Sequence, residues 1–143
     1  MACIKRDKYD ATFSDLIRER ADWTCERCGL ECRKEGQDSR RLDCSHFYSR
    51  ANRSVRWHPL NAAAHCFRCH QELGGNPVLF REWILEYLGP ELDQRLRELA
   101  HTPRKWKPWE KDEMREHYAN QLKMLKARRA AGDRGYIEVV SYD

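Results

Sequence analysis

Residues 43–70 read DCSHFYSRANRSVRWHPLNAAAHCFRCH, and the spacing of polar residues within this stretch decides the fold expected of the chain. It ends in a CxxC, Cys66 and Cys69, and a second CxxC, Cys25 and Cys28, lies upstream with thirty-seven residues between the two pairs. Two such hooks supply four thiolates from short turns, the donor set of a tetrahedral Zn²⁺. Cys25, Cys28, Cys66 and Cys69 are therefore the expected structural zinc site. The gap is longer than in a minimal zinc ribbon and leaves room for a loop and a β-hairpin between the hooks. Cys3, Cys32 and Cys44 then read as spare thiols, with Cys32 the alternative should one ligand be exchanged.

The same stretch carries His46, Asn61 fifteen residues later and His70 nine residues after that. If hairpin and helix share the cysteine-held metal, these three converge. Hydrolysis of a phosphodiester needs a water, a base near neutral pH to activate it, and a cation to stabilise the charge on the phosphorane and the leaving oxygen. A neutral imidazole, with an ordinary pKa of about 6.5, suits the base, and His46 is the candidate. Asn61 suits orientation of that ring or its loop. His70, next to Cys69 but outside the zinc tetrahedron, suits a catalytic divalent ion, Mg²⁺ or Mn²⁺.

Charge supports a polyanionic partner locally more than globally. The net charge is a mild +4, but residues 45–70 contain no Asp or Glu and four arginines, Arg50, Arg53, Arg56 and Arg68. Guanidinium forks match phosphate oxygens, so these four are the expected DNA contacts. Between residues 104 and 129 nine basic residues face four acidic ones, which makes Lys123, Lys126, Arg128 and Arg129 a second candidate contact beside the RKWKPW segment. Trp57 and Phe67 are expected in the core rather than as stacking platforms. Seven cysteines, an odd number, and no apolar leader or long apolar run exclude a disulfide framework and a spanning helix, and place the expected protein in the cytoplasm, not on a membrane.

Outward from the central stretch, residues 12–23 read as an amphipathic helix capped by Thr12 or Ser14. Gly29 supplies the turn after Cys28, and Gly36, Asp38 and Ser39 favour a polar loop. RLDCSHFY predicts a strand and SVRWH a second strand ended by Pro59. Cys66 to Leu73 predicts a helix stopped by Gly74 and Gly75. Asn76 and Pro77 then form a cap and first turn for a helix that Gly89 ends, followed by a second from Pro90 to Ala100. A long helix runs from Pro108 to about Ala131 with Met114, Tyr118, Leu122 and Leu125 on one side; YIEVVSY is a short strand or an ordered tail.

In order and context, His46, Asn61 and His70, with CERCG upstream and NAAAHCFRCH downstream, resemble the HNH endonucleases with a ββα-metal finger in their four-cysteine, zinc-bound form. CSHFYSR, RWHPLN and CFRCHQELGGN are similar to stretches of the NinG (Rap) recombination proteins of lambdoid phages. The resemblance covers about residues 25–80. It implies a single-metal DNA endonuclease acting on branched recombination intermediates in a bacterial host, with phage recombination proteins as further candidate partners. One position departs from the pattern: the residue before the base histidine, an Asp or His ligand in many HNH enzymes, is Ser45. Asp43 and His65 are the candidate replacements, although strand alternation places Asp43 opposite His46 unless the strand bulges.

The expected fold class is α+β: a treble-clef-like, zinc-bound ββα-metal (HNH) core over about 22–75, a helical hairpin over about 76–101 and a C-terminal helix over about 108–131, all in one domain, 1–143. The expected activity is metal-dependent DNA hydrolysis. The alternative is a non-catalytic, zinc-dependent DNA-binding recombination accessory protein. Cutting both strands of a symmetric junction would call for a homodimer.

Overall fold

The computed structural model of the chain describes residues 4–32 and 40–143. Cys3 and the polar loop at Gly36, Asp38 and Ser39 lie outside the described residues. The first helix, α1, spans Lys8–Arg20 and starts four residues earlier than the apolar pattern suggests. Its cap is Asp7, whose carboxylate accepts from the Tyr9 and Asp10 amides while Asp10 reaches back to the Asp7 amide, a capping box built of two aspartates. Phe13, Leu16 and Ile17 are completely buried on its inner face.

Two successive residues beyond α1, Asp22 and Trp23, take positive φ values of 54° and 55°, which turns the chain into the first zinc hook. Gly29, at φ 78°, closes that hook, as its position after Cys28 led us to expect. The sheet is a single antiparallel pair, β1 (Leu42–His46) and β2 (Ala62–Cys66), with Asp43 opposite His65 and His46 opposite Ala62. The second strand is thus AAAHC and not SVRWH. Residues 54–58 form turns instead, with Val55 and Trp57 buried, and a 3₁₀ turn at Pro59–Asn61 leads into β2. Alanine has little strand propensity, but Ala62, Ala63 and Ala64 are fully buried. Packing on both faces of β2 favours their small side chains.

Helix α2 (Phe67–Gly74) follows β2 directly, and α3 (Pro77–Ala100) begins on the Asn76 side chain, which accepts from the Leu79 amide. Gly89 breaks α3 with φ 80° and ψ 164°, giving the two helical halves read from the sequence. Helix α4 (Pro108–Ala130) packs chiefly on α1, with Met114, Tyr118 and Leu125 buried between them. YIEVVSY is neither strand nor helix; it lies along α4, where the Val140 amide and carbonyl both bond to the Gln121 side chain. The described residues therefore form a mixed α+β fold of four helices and one two-stranded sheet. None of these helices is long and apolar enough to cross a membrane.

Candidate metal centre and catalytic cleft

The two hooks meet. The sulfurs of Cys25, Cys28, Cys66 and Cys69 all lie within 4.8 Å of one another, and Cys28 and Cys66 are 3.8 Å apart. A tetrahedron with Zn–S bonds of about 2.3 Å has S···S edges of about 3.8 Å, so these four cysteines can hold a zinc ion. The hook is tied to the sheet by Glu26, whose amide donates to Ala64 O and whose carboxylate accepts from the Ala64 amide. Arg27, bonded to Glu72 and electrostatically coupled to Cys69, brings positive charge to a centre that would carry four thiolates and one dication. Burial raises the pKa of Cys69, and of Cys28, above the ordinary thiol value; a bound dication would offset that penalty on the thiolates. Cys32 is buried outside the group, with its sulfur near Leu30 O, and Cys44 lies on the α1 side of the sheet.

A cleft of about 480 Å³ opens beside this centre and brings together His46, Asp43 and His70. His46 is the last residue of β1 and packs against Phe13 of α1, ring centroids 5.9 Å apart. Its Nε2 lies 3.3 Å from Arg56 O. A carbonyl only accepts, so Nε2 carries the proton and the basic lone pair of the neutral ring is on Nδ1. Burial, reinforced by Arg50 and Arg56, lowers its pKa to about 4, so the imidazole is neutral at pH 7.

His70 Nδ1 donates to Asp43 Oδ2 at 2.9 Å, and Asp43 Oδ1 accepts from Arg41 Nε at 2.7 Å. Burial opposes the Asp43 charge, but Arg41 and His70 hold its carboxyl below the usual carboxylate range. Asp43 thus shares the cleft with His46 despite strand alternation; β1 has only one neighbour in the sheet, and side chains from both of its faces can reach around the open edge. With both carboxylate oxygens already bonded, Asp43 orients the His70 ring through Nδ1, which leaves Nε2 outside that pair. Ser45 is 1% exposed with no partner for its hydroxyl among the described residues, and it does not line the cleft. His65 also points away: it is fully buried, edge-on to Trp83 at 4.6 Å, with neither ring nitrogen bonded among the described residues.

Asn61 is completely buried, and its side-chain hydrogen bonds go to neither His46 nor His70. Its Nδ2 donates to Tyr48 O (2.9 Å) and Val55 O (3.1 Å), and its Oδ1 accepts from the Tyr48 amide (2.8 Å). These bonds close the loop between His46 and β2. The same loop presents Arg56 O to His46.

The arginines divide. Arg50 lines the cleft, 3.7 Å from Asp10, while Arg53 and Arg68 are exposed, Arg68 pairing with Glu72 in the next turn. Arg56 is a correction to the expected phosphate contacts. It is buried in a two-bond pair with Asp10 (Nε–Oδ1 3.0 Å, Nη2–Oδ2 2.6 Å), and Trp57 Nε1 donates to the same carboxylate. Arg129 is likewise not a surface cation: it is buried, with its guanidinium donating to Glu19 O, Arg20 O and Asp133 O. Phe67, expected in the core, is 49% exposed with the Arg41 guanidinium over its ring at 5.0 Å, whereas Trp57 is buried as expected.

The sequence reading missed Arg6, Arg18 and Arg41 at the cleft and Asp10 beneath it. Only Arg41 adjoins the central stretch; the others come from α1 and its approach, and no spacing rule connects them to His46. His58 bonds its own Leu60 amide, His101 the end of α3 and His117 the C-terminal tail.

No curated protein and no solved structure matches the chain. A protein-family profile described as bacteriophage lambda NinG protein matches residues 5–128, which takes in the zinc centre, the cleft and nearly all of α4. The chain belongs to the NinG family of bacteriophage lambda.

Proposed function

We propose that this chain is a divalent-metal-dependent DNA endonuclease of phage recombination that acts on branched DNA. One observation carries the reading: an imidazole with a free Nδ1 and a carboxylate-oriented imidazole line one cleft, rimmed by Arg6, Arg18, Arg41 and Arg50. The guanidiniums place a DNA phosphate in the cleft. His46 Nδ1 takes a proton from the water that attacks phosphorus as the P–O bond to the leaving oxygen breaks. Mg²⁺ or Mn²⁺ held at His70 Nε2 would supply the positive charge for the phosphorane and the leaving oxygen. Asn61 holds the loop, and the zinc site fixes α2, so that base and ligand keep their spacing.

A second reading, a zinc-dependent DNA-binding recombination accessory protein without catalysis, is favoured by the burial of Ser45 and the two bonds already made by Asp43, which leave one clear ligand atom for the catalytic ion. The test is a cleavage panel of four-way, flapped, duplex and single-stranded DNA with Mg²⁺ or Mn²⁺, using wild type and His46→Ala. Wild type should cut branched DNA, and His46→Ala should be slower by roughly 10²–10⁴-fold with binding in Ca²⁺ unchanged. Equal cleavage by both proteins would refute the role of His46. Branched-DNA binding without any cleavage would establish the second reading.

A further inference from the structure

A second cleft, of about 380 Å³, opens where the loop after β1 meets the two halves of α3. Its floor is apolar, from the buried Ile84 and Leu96. Three aromatic rings, Phe47, Tyr48 and Phe80, line it, with Phe47 held edge-on to Phe80 at 6.0 Å. The mouth is cationic: Arg81 and Arg97 share the single carboxylate of Asp93, at 2.5 and 3.3 Å, so among the described residues two guanidiniums meet one carboxylate there. His101 adds a directional group. Its Nδ1 lies 2.7 Å from Arg97 O and so donates, which leaves Nε2 as an exposed acceptor at the rim.

The position of this cleft matters as much as its lining. Tyr48 lines it and Ser49 lines the catalytic cleft, so two consecutive residues, with Cα atoms about 3.8 Å apart, separate the two. The Tyr48 backbone is held on both its amide and its carbonyl by Asn61. On the DNA reading, a nucleotide whose phosphate sits beside His46 would pass its neighbouring base over the Tyr48–Ser49 backbone toward this aromatic, cation-rimmed slot. Apolar floor, ring faces, donors and an acceptor are what an unstacked nucleobase requires and a paired one cannot use.

We infer that the cleft between Tyr48 and α3 receives one unpaired DNA base next to the scissile phosphate, and that this is how the protein prefers branched over duplex DNA. The inference rests on the DNA reading above and deepens it. An apolar side chain of a partner protein would fit the floor but leave the cationic mouth unused.

The experiment is a cycle between protein and DNA. Four-way junctions, each with one abasic nucleotide at a successive position around the branch point, are titrated in Ca²⁺ with wild type, with Ile84→Trp, which fills the slot, and with Tyr48→Leu, which removes a ring while keeping apolar volume. At one or more positions the abasic nucleotide should weaken wild-type binding roughly tenfold. The variants should bind the complete junction weaker by a similar factor and lose nothing further at that position. Thermal midpoints show that Ile84→Trp is folded; if it is not, Tyr48→Leu decides. Equal abasic losses in wild type and variants, no abasic effect at any position, or no junction binding by wild type would overturn the inference. Parallel cleavage assays in Mg²⁺ separate the two readings. Base-dependent binding without cleavage refutes the nuclease and supports the slot, and cleavage without an abasic effect does the reverse.

Discussion

Replacing Asn61 by alanine should be the most damaging single change that leaves every metal-ligand candidate intact. Three hydrogen bonds end on its side chain, to the Tyr48 amide, Tyr48 O and Val55 O, and the residue is fully buried, so water cannot replace them. Each lost bond leaves a buried backbone group unpaired at about 1–3 kcal/mol, and some relaxation of the loop puts the sum at about 3–5 kcal/mol. Against a typical total of about 5–15 kcal/mol, the variant is strongly destabilised but can still fold. The measurement is the urea midpoint of zinc-loaded wild type and Asn61→Ala, with hydrogen exchange of the Tyr48 amide as the local probe. Asn61→Asp, which turns two donors toward carbonyls as acceptors, should be no better than alanine. A loss below about 1 kcal/mol would refute the clamp. Abolished cleavage with unchanged stability and unchanged Tyr48 protection would instead place Asn61 in contact with substrate or ion.

Chelation of zinc, or Cys66→Ser, should lower the thermal midpoint sharply, since the centre joins the α1 end of the fold to α2 and a chain of 143 residues has a modest core; an unchanged midpoint would remove the structural metal. Burial would raise the Asp10 carboxyl, but Arg56 prevails and holds it at about 2, against an ordinary 3.8. Its deprotonated form is the stabilised one, so it contributes on the order of 2 kcal/mol above pH about 4, and that contribution disappears as the pH falls toward 2. The difference in urea midpoint between wild type and Asp10→Asn should shrink over that interval, and a difference independent of pH would refute the pairing. Arg129→Ala should cost about 3 kcal/mol, since it removes the donors to three backbone carbonyls. Lys126→Gln should leave stability within about 0.5 kcal/mol and, if this face meets DNA, reduce the salt slope of binding by about one.

What could be read in advance followed from residues whose chemistry acts locally. Paired cysteines, the Asn76–Pro77 start and the Gly89 stop each state their structure within a few positions, and all three recur in the fold. The second strand could not be read this way. Val55 and Trp57 alternate with polar residues and mimic a half-buried strand, yet they are buried because Asn61 and the Asp10 carboxylate fold the loop over them. Ala62–Ala64 carry no strand signal and form one because packing on both faces leaves room only for methyl groups. The start of α1 was displaced for a similar reason: its first turn is polar, and the Asp7–Asp10 box that caps it has no apolar periodicity. Spacing singled out His46 and His70, which do line one cleft, but not the partners that orient their rings. Alternation set Asp43 on the strand face opposite His46 and could not show that both side chains reach one cleft around the edge of β1, and Arg56 looked like a DNA contact because its buried partner lies 46 residues away.

That distant partner changes how the acid-free stretch should be understood. A run of arginines without carboxylates maximises local positive charge, but one of them is neutralised by α1, and the same residue meets His46 with its carbonyl. His46 is therefore oriented from the α1 side, through Asp10 and Arg56, while His70 is oriented from the zinc side, through α2 and Asp43. Two independent anchors meet across one cleft. A variant that weakens only the α1 anchor, such as Asp10→Asn, should disturb His46 without disturbing His70, and loss of a metal from the four cysteines should disturb α2 and His70 first. The loop closed by Asn61 joins the two, because it runs from the end of β1 to the start of β2 and therefore to the second zinc hook. The spacing of His46 and His70 is thus set by the loop and by the cysteine cluster together, through residues that carry no part of the proposed reaction.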